Sequence, residues 1–254
     1  MKRILTSAVL LPIGLYAILA APPWVVLGLA TVFATFCFWE FAGIAETGGI
    51  PIRRGLGIAA GLALMAVPGE AFPVILAAAL AALVWELGGG RLAELLPRTA
   101  LLVFGLVYVY GAWKCAALIH AFSPKWLLFA LGLNWIGDIS AYYAGRRFGR
   151  RKLAPSISPG KTWEGTVAAL ALAAVAGYFY LGRFLPQVPP WQALALSAAV
   201  NVVGQAGDLA ESALKRGAGV KDSGALLPGH GGFLDRFDSS LFTLPAVYFY
   251  LRWA

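Results

Sequence analysis

Long apolar segments alternate with short polar or Pro/Gly-containing breaks along the whole chain. Most of these segments approach or exceed the roughly 20 apolar residues that a helix needs to cross a bilayer. The pattern therefore predicts an all-α, polytopic integral membrane protein with about nine transmembrane helices. The short third segment leaves open whether every helix crosses fully. The nine segments are residues 5–21, 24–44, 55–68, 72–88, 99–121, 126–145, 164–182, 191–214 and 237–253.

Composition places the chain in lipid rather than in water. Hydrophobic residues make up 60% of the 254 residues and charged residues only 13%, whereas soluble domains carry about 25% charged residues. A soluble core of this size could not hide so much apolar surface. We expect a single membrane domain over 1–254, with scaffold or lipid-facing helices in 1–121 and catalytic helices in 126–254.

The distribution of basic residues predicts how the chain is oriented. If the N-terminus is cytoplasmic and all nine segments cross, 16 of the 20 Lys and Arg residues fall in cytoplasmic loops. This asymmetry follows the positive-inside rule, so the net charge of +8 does not call for nucleic acid as a partner. We therefore expect a multi-pass protein of the cell (inner) membrane, with its N-terminus and active site on the cytoplasmic side.

Charged residues are concentrated in two short runs. Of the 32 Asp, Glu, Lys and Arg residues, eight lie in 138–164 and nine in 208–238. A charged group costs on the order of 3 kcal/mol at the centre of a bilayer, and such groups usually face a bundle interior or a water-filled cavity. The two runs therefore predict a polar active-site cavity that opens to the cytoplasm.

The run 208–238 begins on a helix. Its first polar residues follow the i, i+3, i+4, i+7 spacing that places side chains on one helical face. They are Asp208, Glu211, Ser212 and Lys215. Two carboxylates, a hydroxyl and an amine on one face suit a hard cation and a phosphate.

The rest of this run combines glycines with charged side chains. Lys221 and Asp222 lie in a Gly-rich turn, and the glycines around His230 allow a ligand to approach the backbone closely. We rank His230 as a phosphate ligand or a loop-orienting group ahead of a catalytic acid. Asp235 and Asp238 are spaced i, i+3 where the last apolar segment opens, so their carboxylates can converge.

The run 138–164 offers a second half-site. Asp138 lies within an apolar segment, and Ser158, followed by a proline, resembles a helix N-cap. A helix N-terminus that carries Lys161 and Thr162 would cradle a phosphate. We expect this run to supply the other wall of the same site.

The residue types of the C-terminal half resemble those of phosphatidate cytidylyltransferases, also called CDP-diacylglycerol synthases. Residues 212–238 carry the hallmark Ser-x-Leu-Lys-Arg-x4-Lys-Asp-x-Gly-x2-Leu-Pro-x-His-Gly-Gly-Phe-x-Asp-Arg-Phe-Asp. The stretch from Asp138 to Gly165 is similar to a second block shared by that family, whereas the N-terminal half matches only in being apolar. A pattern that fixes so many residue types over 27 positions is highly specific.

The resemblance implies a reaction of phospholipid synthesis in which CTP and phosphatidate give CDP-diacylglycerol and pyrophosphate. It implies Mg²⁺, leaves K⁺ open as a further cation, and suggests a homodimer. The metal ligands that it implies are Asp208, Asp235 and Asp238. The catalytic side chains that it implies are Lys215, Arg216, Lys221, Asp222, His230 and Arg236. Those implied in cofactor and nucleotide binding are Asp138, Ser158, Lys161, Thr162, Glu164 and Ser212.

Two alternatives remain open at this point. One is an enzyme that uses CTP on another lipid phosphate, such as an isoprenoid phosphate, or a CTP-using lipid kinase. The other is an ion or solute transporter, because intramembrane carboxylates and broken helices occur there as well. The basic, Gly-rich turn favours phosphate chemistry over ion permeation.

Overall fold

Helices dominate the computed structural model of the protein, which describes residues 14–68, 71–88, 92–225 and 231–253. Residues 14–20 are helical. The longer helices are α1 (Pro23–Thr47), α2 (Arg54–Ala66), α3 (Phe72–Leu87), α4 (Leu92–Gly105), α5 (Ala112–Phe122), α6 (Pro124–Phe148), α7 (Trp163–Phe184), α8 (Pro190–Gly217) and α9 (Ser240–Trp253). A π-helical segment, Leu106–Gly111, joins α4 to α5.

The predicted apolar segments coincide with these helices, which confirms the all-α class. Residues 5–13 of the first segment lie outside the described residues. Four helical stretches are long and apolar enough to cross a membrane, as expected of an integral membrane protein: Pro23–Thr47, Leu92–Phe122, Trp163–Phe184 and Pro190–Gly217. Crossing by all nine segments stays a prediction.

The short third segment corresponds to α2, which has 13 residues. At about 1.5 Å per residue such a helix reaches about 20 Å, less than the roughly 30 Å of hydrocarbon in a bilayer. Its C-terminal end is held by a buried amine, because Lys114 Nζ donates to Met65 O at 2.9 Å and to Val67 O at 2.7 Å. Lys114, a charge within an apolar segment, therefore has a structural role as a helix cap.

Helix α4 begins earlier than the apolar pattern predicts. Arg98 directly precedes the predicted segment 99–121 and lies inside α4. The reason is an ion cluster, in which the buried Glu86 accepts from Arg98 Nη1 at 3.1 Å and from Arg53 Nε at 2.9 Å. Paired in this way, the Arg98 side chain tolerates a helical position among apolar neighbours.

The polar run 138–164 contains a small hairpin that the sequence did not predict. Strands β1 (Lys152–Ala154) and β2 (Ser158–Thr162) are antiparallel, with Lys152 opposite Thr162 and Ala154 opposite Ser158. The prediction that Ser158 is a helix N-cap is therefore wrong. Helix α7 is capped four residues later by Thr162, whose Oγ1 accepts from Gly165 N at 3.2 Å.

The chain divides into two compact units. Of the residues that the structure describes, those within 1–29, 115–205 and 243–254 form the first unit, and those within 30–114 and 206–242 form the second. In the first unit α6 packs along α7. Buried polar side chains also connect helices there, since Asn134 Nδ2 donates to Thr243 Oγ1 at 2.9 Å.

The second unit has an aromatic core beside the polar run 208–238. The Trp113 ring packs edge-on against Phe237, with centroids 4.9 Å apart, and Phe33 contacts both Trp113 and Phe233. This core holds the residues on either side of Asp235 against α1, so the polar turn rests on a rigid apolar support.

Candidate active site

Lys215 lies at the centre of the polar cluster in the second unit. Its Nζ is 2.6 Å from Glu211 Oε2 and also contacts the Asp235 carboxylate. Glu211 is fully buried and Lys215 is 9% exposed. A buried ammonium group is tolerated only when carboxylates compensate it. Lys215 therefore ties the end of α8 to the turn that carries Asp235.

The polar face predicted for 208–215 is present on α8. Glu211 and Lys215 form an ion pair one turn apart, and Ser212 Oγ donates to Asp208 Oδ1 at 3.4 Å. Ser212, predicted to bind the cofactor, thus contacts a predicted metal ligand. Helical spacing alone was enough to place these side chains together.

Asp235 organises the turn around it through backbone donors. Its Oδ2 accepts from Gly232 N at 2.8 Å and from Ser223 N at 3.1 Å. Burial alone would raise the pKa of Asp235, but the hydrogen bonds from Lys215, Gly232 and Ser223 hold this pKa below its usual value. The side chain is therefore a carboxylate that fastens residues 221–225 to residues 231–236.

Asp235 and Asp238 do not open the last helix. Asp235 lies in a 3₁₀ turn, Leu234–Arg236, and α9 begins at Ser240. The Asp235 carboxylate accepts hydrogen bonds from Gly232 and Ser223, which precede it in the chain. These bonds keep the 3₁₀ turn separate from α9. Asp238 Oδ1 accepts from Ser239 N at 2.6 Å, within the next turn.

Gly231 is the point around which several predicted catalytic groups gather. Its φ of 78° is a left-handed conformation that favours glycine. A Cβ placed there would lie 3.1 Å from Asp235 Oδ2 and 4.0 Å from both Arg236 Nη2 and Asp222 Oδ1. The structure thus brings Asp222, Asp235 and Arg236 together.

Three predicted basic residues are exposed at the edge of this cluster: Arg216, Lys221 and Arg236. Arg216 Nη1 donates to Val220 O at 3.2 Å and so braces the Gly-rich turn. His230 lies outside the described residues, and its predicted role stays a prediction.

Glu40 is a member of this cluster that the sequence interpretation missed. It lies on α1, is 3% exposed, and its Oε2 accepts from Ser223 Oγ at 2.7 Å and from Leu234 N at 2.8 Å. A signal was available, because Glu40 is the lone charge in the apolar segment 24–44. An ionisable residue inside such a segment is by default a functional-site hypothesis.

The three predicted metal ligands differ in their hydrogen-bond partners and surroundings. Asp235 already accepts from Lys215 and two backbone amides. At Gly207, beside Asp208, a Cβ would lie 3.0 Å from Asp238 O, so α8 passes close to the Asp238 backbone. The carboxylates of Asp208 and Asp238 have the oxygen chemistry that Mg²⁺ prefers. Within the described ranges, no group of three or more His, Cys, Asp and Glu side chains is arranged to hold a metal.

The other predicted site residues lie in the first unit. Glu164 Oε2 accepts from Arg150 N at 3.1 Å and Arg151 N at 3.3 Å, so this carboxylate holds the turn before β1. Asp138 is exposed on α6, and Lys161 lies on β2 directly before the Thr162 cap. The roles predicted for these residues and for Ser158 in binding stay predictions.

Comparison with known proteins identifies the family to which the chain belongs. The family model described as the cytidylyltransferase family matches residues 1–254. A Pseudomonas aeruginosa phosphatidate cytidylyltransferase is 36% identical over 267 residues, covering 100% of this chain and 97% of that protein. Phosphatidate cytidylyltransferases of Bacillus subtilis and Haemophilus influenzae are 49% and 43% identical over 134 and 129 residues.

The extent of these similarities differs between relatives. The matched region spans about half the length of the Bacillus and Haemophilus proteins, 49% and 45%, and about half of this chain. The family match, by contrast, extends over the N-terminal helices as well as the polar runs. The chain belongs to the cytidylyltransferase family.

Proposed function

We propose that this protein transfers the cytidylyl group of CTP to phosphatidate, giving CDP-diacylglycerol and pyrophosphate. The observation that carries the proposal is the full-length similarity to a phosphatidate cytidylyltransferase, together with a cluster of charged side chains in a membrane protein. A membrane-embedded enzyme lets the acyl chains of the lipid stay in the bilayer while a soluble nucleotide enters from water.

The chemistry of this transfer is governed by charge. A phosphate oxygen of phosphatidate forms a bond to the α-phosphorus of CTP. The bond from that phosphorus to the oxygen bridging to the β-phosphate breaks, and pyrophosphate leaves with the electron pair. The nucleophile is already anionic and needs no strong general base. The barrier is the approach of two polyanions, which positioned cations lower.

We divide the basic residues into two proposed roles according to their exposure. We assign the exposed Arg216, Lys221 and Arg236 to the phosphates of CTP and to the pyrophosphate leaving group. Lys215 is buried between Glu211 and Asp235, so we assign it to holding the turn in place. Asp235 then acts as the anchor of that turn, a role that its contacts support better than metal binding.

Mg²⁺ is part of the proposal, and K⁺ remains a second candidate cation. When bound, Mg²⁺ supplies charge neutralisation on the triphosphate. The residues that we assign to it are Asp208 and Asp238. A titration of activity with Mg²⁺ and with Asp208→Asn tests this assignment, since loss of a ligand should raise the Mg²⁺ concentration needed for half-maximal rate.

We further propose the topology given by the positive-inside count, with nine crossings and the polar runs on the cytoplasmic face of the cell membrane. Under this topology Lys125→Cys reacts with an impermeant maleimide added outside intact cells, whereas Arg150→Cys reacts only after lysis. The opposite labelling pattern would reverse the orientation. A homodimer stays an expectation of the family resemblance.

The experiment that tests the reaction uses purified protein, CTP and a panel of lipid phosphates. We expect a CDP-lipid from phosphatidate. A CDP-lipid formed only from an isoprenoid phosphate would keep the chemistry and change the substrate. Failure with every lipid phosphate would leave the transporter alternative, which liposome flux measurements would then test.

A further inference from the structure

We infer that Glu40 is a positioning residue for this reaction, because it sets the geometry of the turn that carries the charged groups. The inference rests on the proposed function for its activity readout. It concerns a residue nearly 170 positions before the polar run 208–238, in a segment that is apolar apart from this one charge.

The Glu40 carboxylate connects two separate stretches of that turn. One oxygen, Oε2, accepts from Ser223 Oγ at 2.7 Å and from Leu234 N at 2.8 Å. Ser223 directly follows Asp222, and Leu234 directly precedes Asp235. A single oxygen atom of Glu40 therefore bridges the two stretches that carry the charged side chains, in addition to the bridge made by the Asp235 carboxylate.

Ser223 extends this connection to Asp235. While its hydroxyl donates to Glu40, its Oγ accepts from Asp235 N at 3.3 Å, and its own N–H donates to Asp235 Oδ2 at 3.1 Å. Asp235 in turn contacts Lys215. Glu40 thus stands at one end of a continuous network of hydrogen bonds and ion pairs that ends at Glu211.

The backbone packs around the Glu40 carboxylate so closely that only glycine fits. At Gly224 a Cβ would lie 2.5 Å from Glu40 Oε1, and at Gly232 a Cβ would lie 2.6 Å from Glu40 Oε2 and 2.7 Å from Gly224 N. These two glycines, one in each stretch, allow the backbone to close on the side chain.

The burial of Glu40 on α1 carries a free-energy cost that helix packing alone does not explain. Burying a carboxylate costs several kcal/mol unless donors compensate it, and an apolar residue would pack on α1 at no such cost. The two donors lie on the turn rather than on the helices that pack around α1. The contact therefore serves the shape of the turn more than the packing of the helix.

The test compares two substitutions at Glu40 with a matched control on the same helix. Glu40→Leu removes the acceptor, whereas Glu40→Gln keeps one oxygen that can accept from both donors. The control is Glu46→Gln, at an exposed carboxylate two turns further on that pairs with Arg54. Full-length protein in detergent or nanodiscs is used throughout.

The first readout does not depend on activity. Hydrogen exchange of peptides containing Ser223 and Leu234 should accelerate in Glu40→Leu and stay near the wild-type rate in Glu40→Gln and Glu46→Gln. The second readout is kcat per folded enzyme. Misplacing reacting groups by about 1 Å can cost about 10²-fold, so we expect a loss of that order in Glu40→Leu. Glu40→Gln should keep kcat within about tenfold, because a neutral acceptor gives weaker hydrogen bonds.

Two outcomes would overturn the inference. One is a Glu40→Leu enzyme with wild-type exchange and kcat. The other is a Glu40→Leu variant that loses thermal stability while kcat per folded enzyme is unchanged, which would make Glu40 merely structural.

If Glu40→Leu does not fold, the variant Ser223→Ala tests the inference in its place, because it removes only the hydroxyl that bridges Glu40 and Asp235. A folded Ser223→Ala enzyme with normal kcat and normal exchange would then refute the inference. Absence of activity in the wild type would count against the proposed function, and the exchange rates would still decide the role of Glu40.

Discussion

Replacing Asp235 by Asn is the substitution whose consequence follows most directly from the contacts. The change keeps the shape of the side chain and removes its charge. One oxygen is replaced by an NH₂ group, so the side chain can no longer accept from Gly232 N, Ser223 N and Lys215 together. At least one of these three donors then faces the new NH₂ group, which is itself a donor and cannot accept a hydrogen bond.

The size of the effect can be worked from these bonds. Hydrogen bonds to charged groups contribute about 1.5–3 kcal/mol each, and the NH₂ group adds an unfavourable contact. We therefore expect the turn to lose about 2–4 kcal/mol of stabilising interaction. This loss weakens the positioning of Asp222 and Arg236. At about 1.36 kcal/mol per tenfold, kcat/KM should fall by about 30- to 1,000-fold. Lys215 retains Glu211 as its partner, so we expect the protein to remain folded.

The assay is release of pyrophosphate from CTP in the presence of phosphatidate, normalised to folded protein by size-exclusion chromatography. Glu46→Gln serves as the control, because an exposed ion pair contributes at most about 1 kcal/mol to stability and this one lies outside the turn. An Asp235→Asn enzyme whose kcat/KM lies within about threefold of wild type would refute the anchoring role of Asp235.

Three further substitutions test other parts of the structure. Gly232→Ala should unfold the turn and abolish turnover, because its Cβ would lie 2.7 Å from Gly224 N; normal hydrogen exchange in this variant would contradict the close packing. Lys114→Met should lower the thermal midpoint without changing kcat per folded enzyme, because Lys114 caps α2 through Met65 and Val67, neither of which is assigned to the reaction; an effect confined to kcat would be inconsistent with a capping role. Thr162→Ala should destabilise α7 by about 1 kcal/mol through loss of its N-cap, and an unchanged thermal midpoint would argue against that cap.

The polar face of α8 could be predicted because it depends on local periodicity alone. Glu211 and Lys215 are one turn apart on a helix, and a helix was the only structure that the apolar pattern allowed. The hairpin at 152–162 was missed because Ser158 was read as a helix N-cap, with the proline that follows it at the first helical position. Thr162 caps α7 instead of Ser158, because its hydroxyl oxygen accepts from the backbone amide of Gly165, three residues further on.

The role of Glu40 could not be derived in the same way. Its partners Ser223 and Leu234 are 183 and 194 residues away along the chain. Such a pairing depends on tertiary packing, which no local pattern encodes. The sequence did contain the lone charge in the segment 24–44, and that observation alone would have justified naming Glu40 as a candidate.

The fate of labelled phosphate in CTP shows whether the protein transfers a cytidylyl group to a lipid phosphate. Purified protein is incubated with phosphatidate and Mg²⁺, and with CTP labelled either at the α- or at the γ-phosphate. We expect the α-label to enter the lipid and the γ-label to appear in pyrophosphate. Entry of the γ-label into the lipid would indicate a kinase, and no transfer of the α-label to any lipid phosphate would contradict the claim.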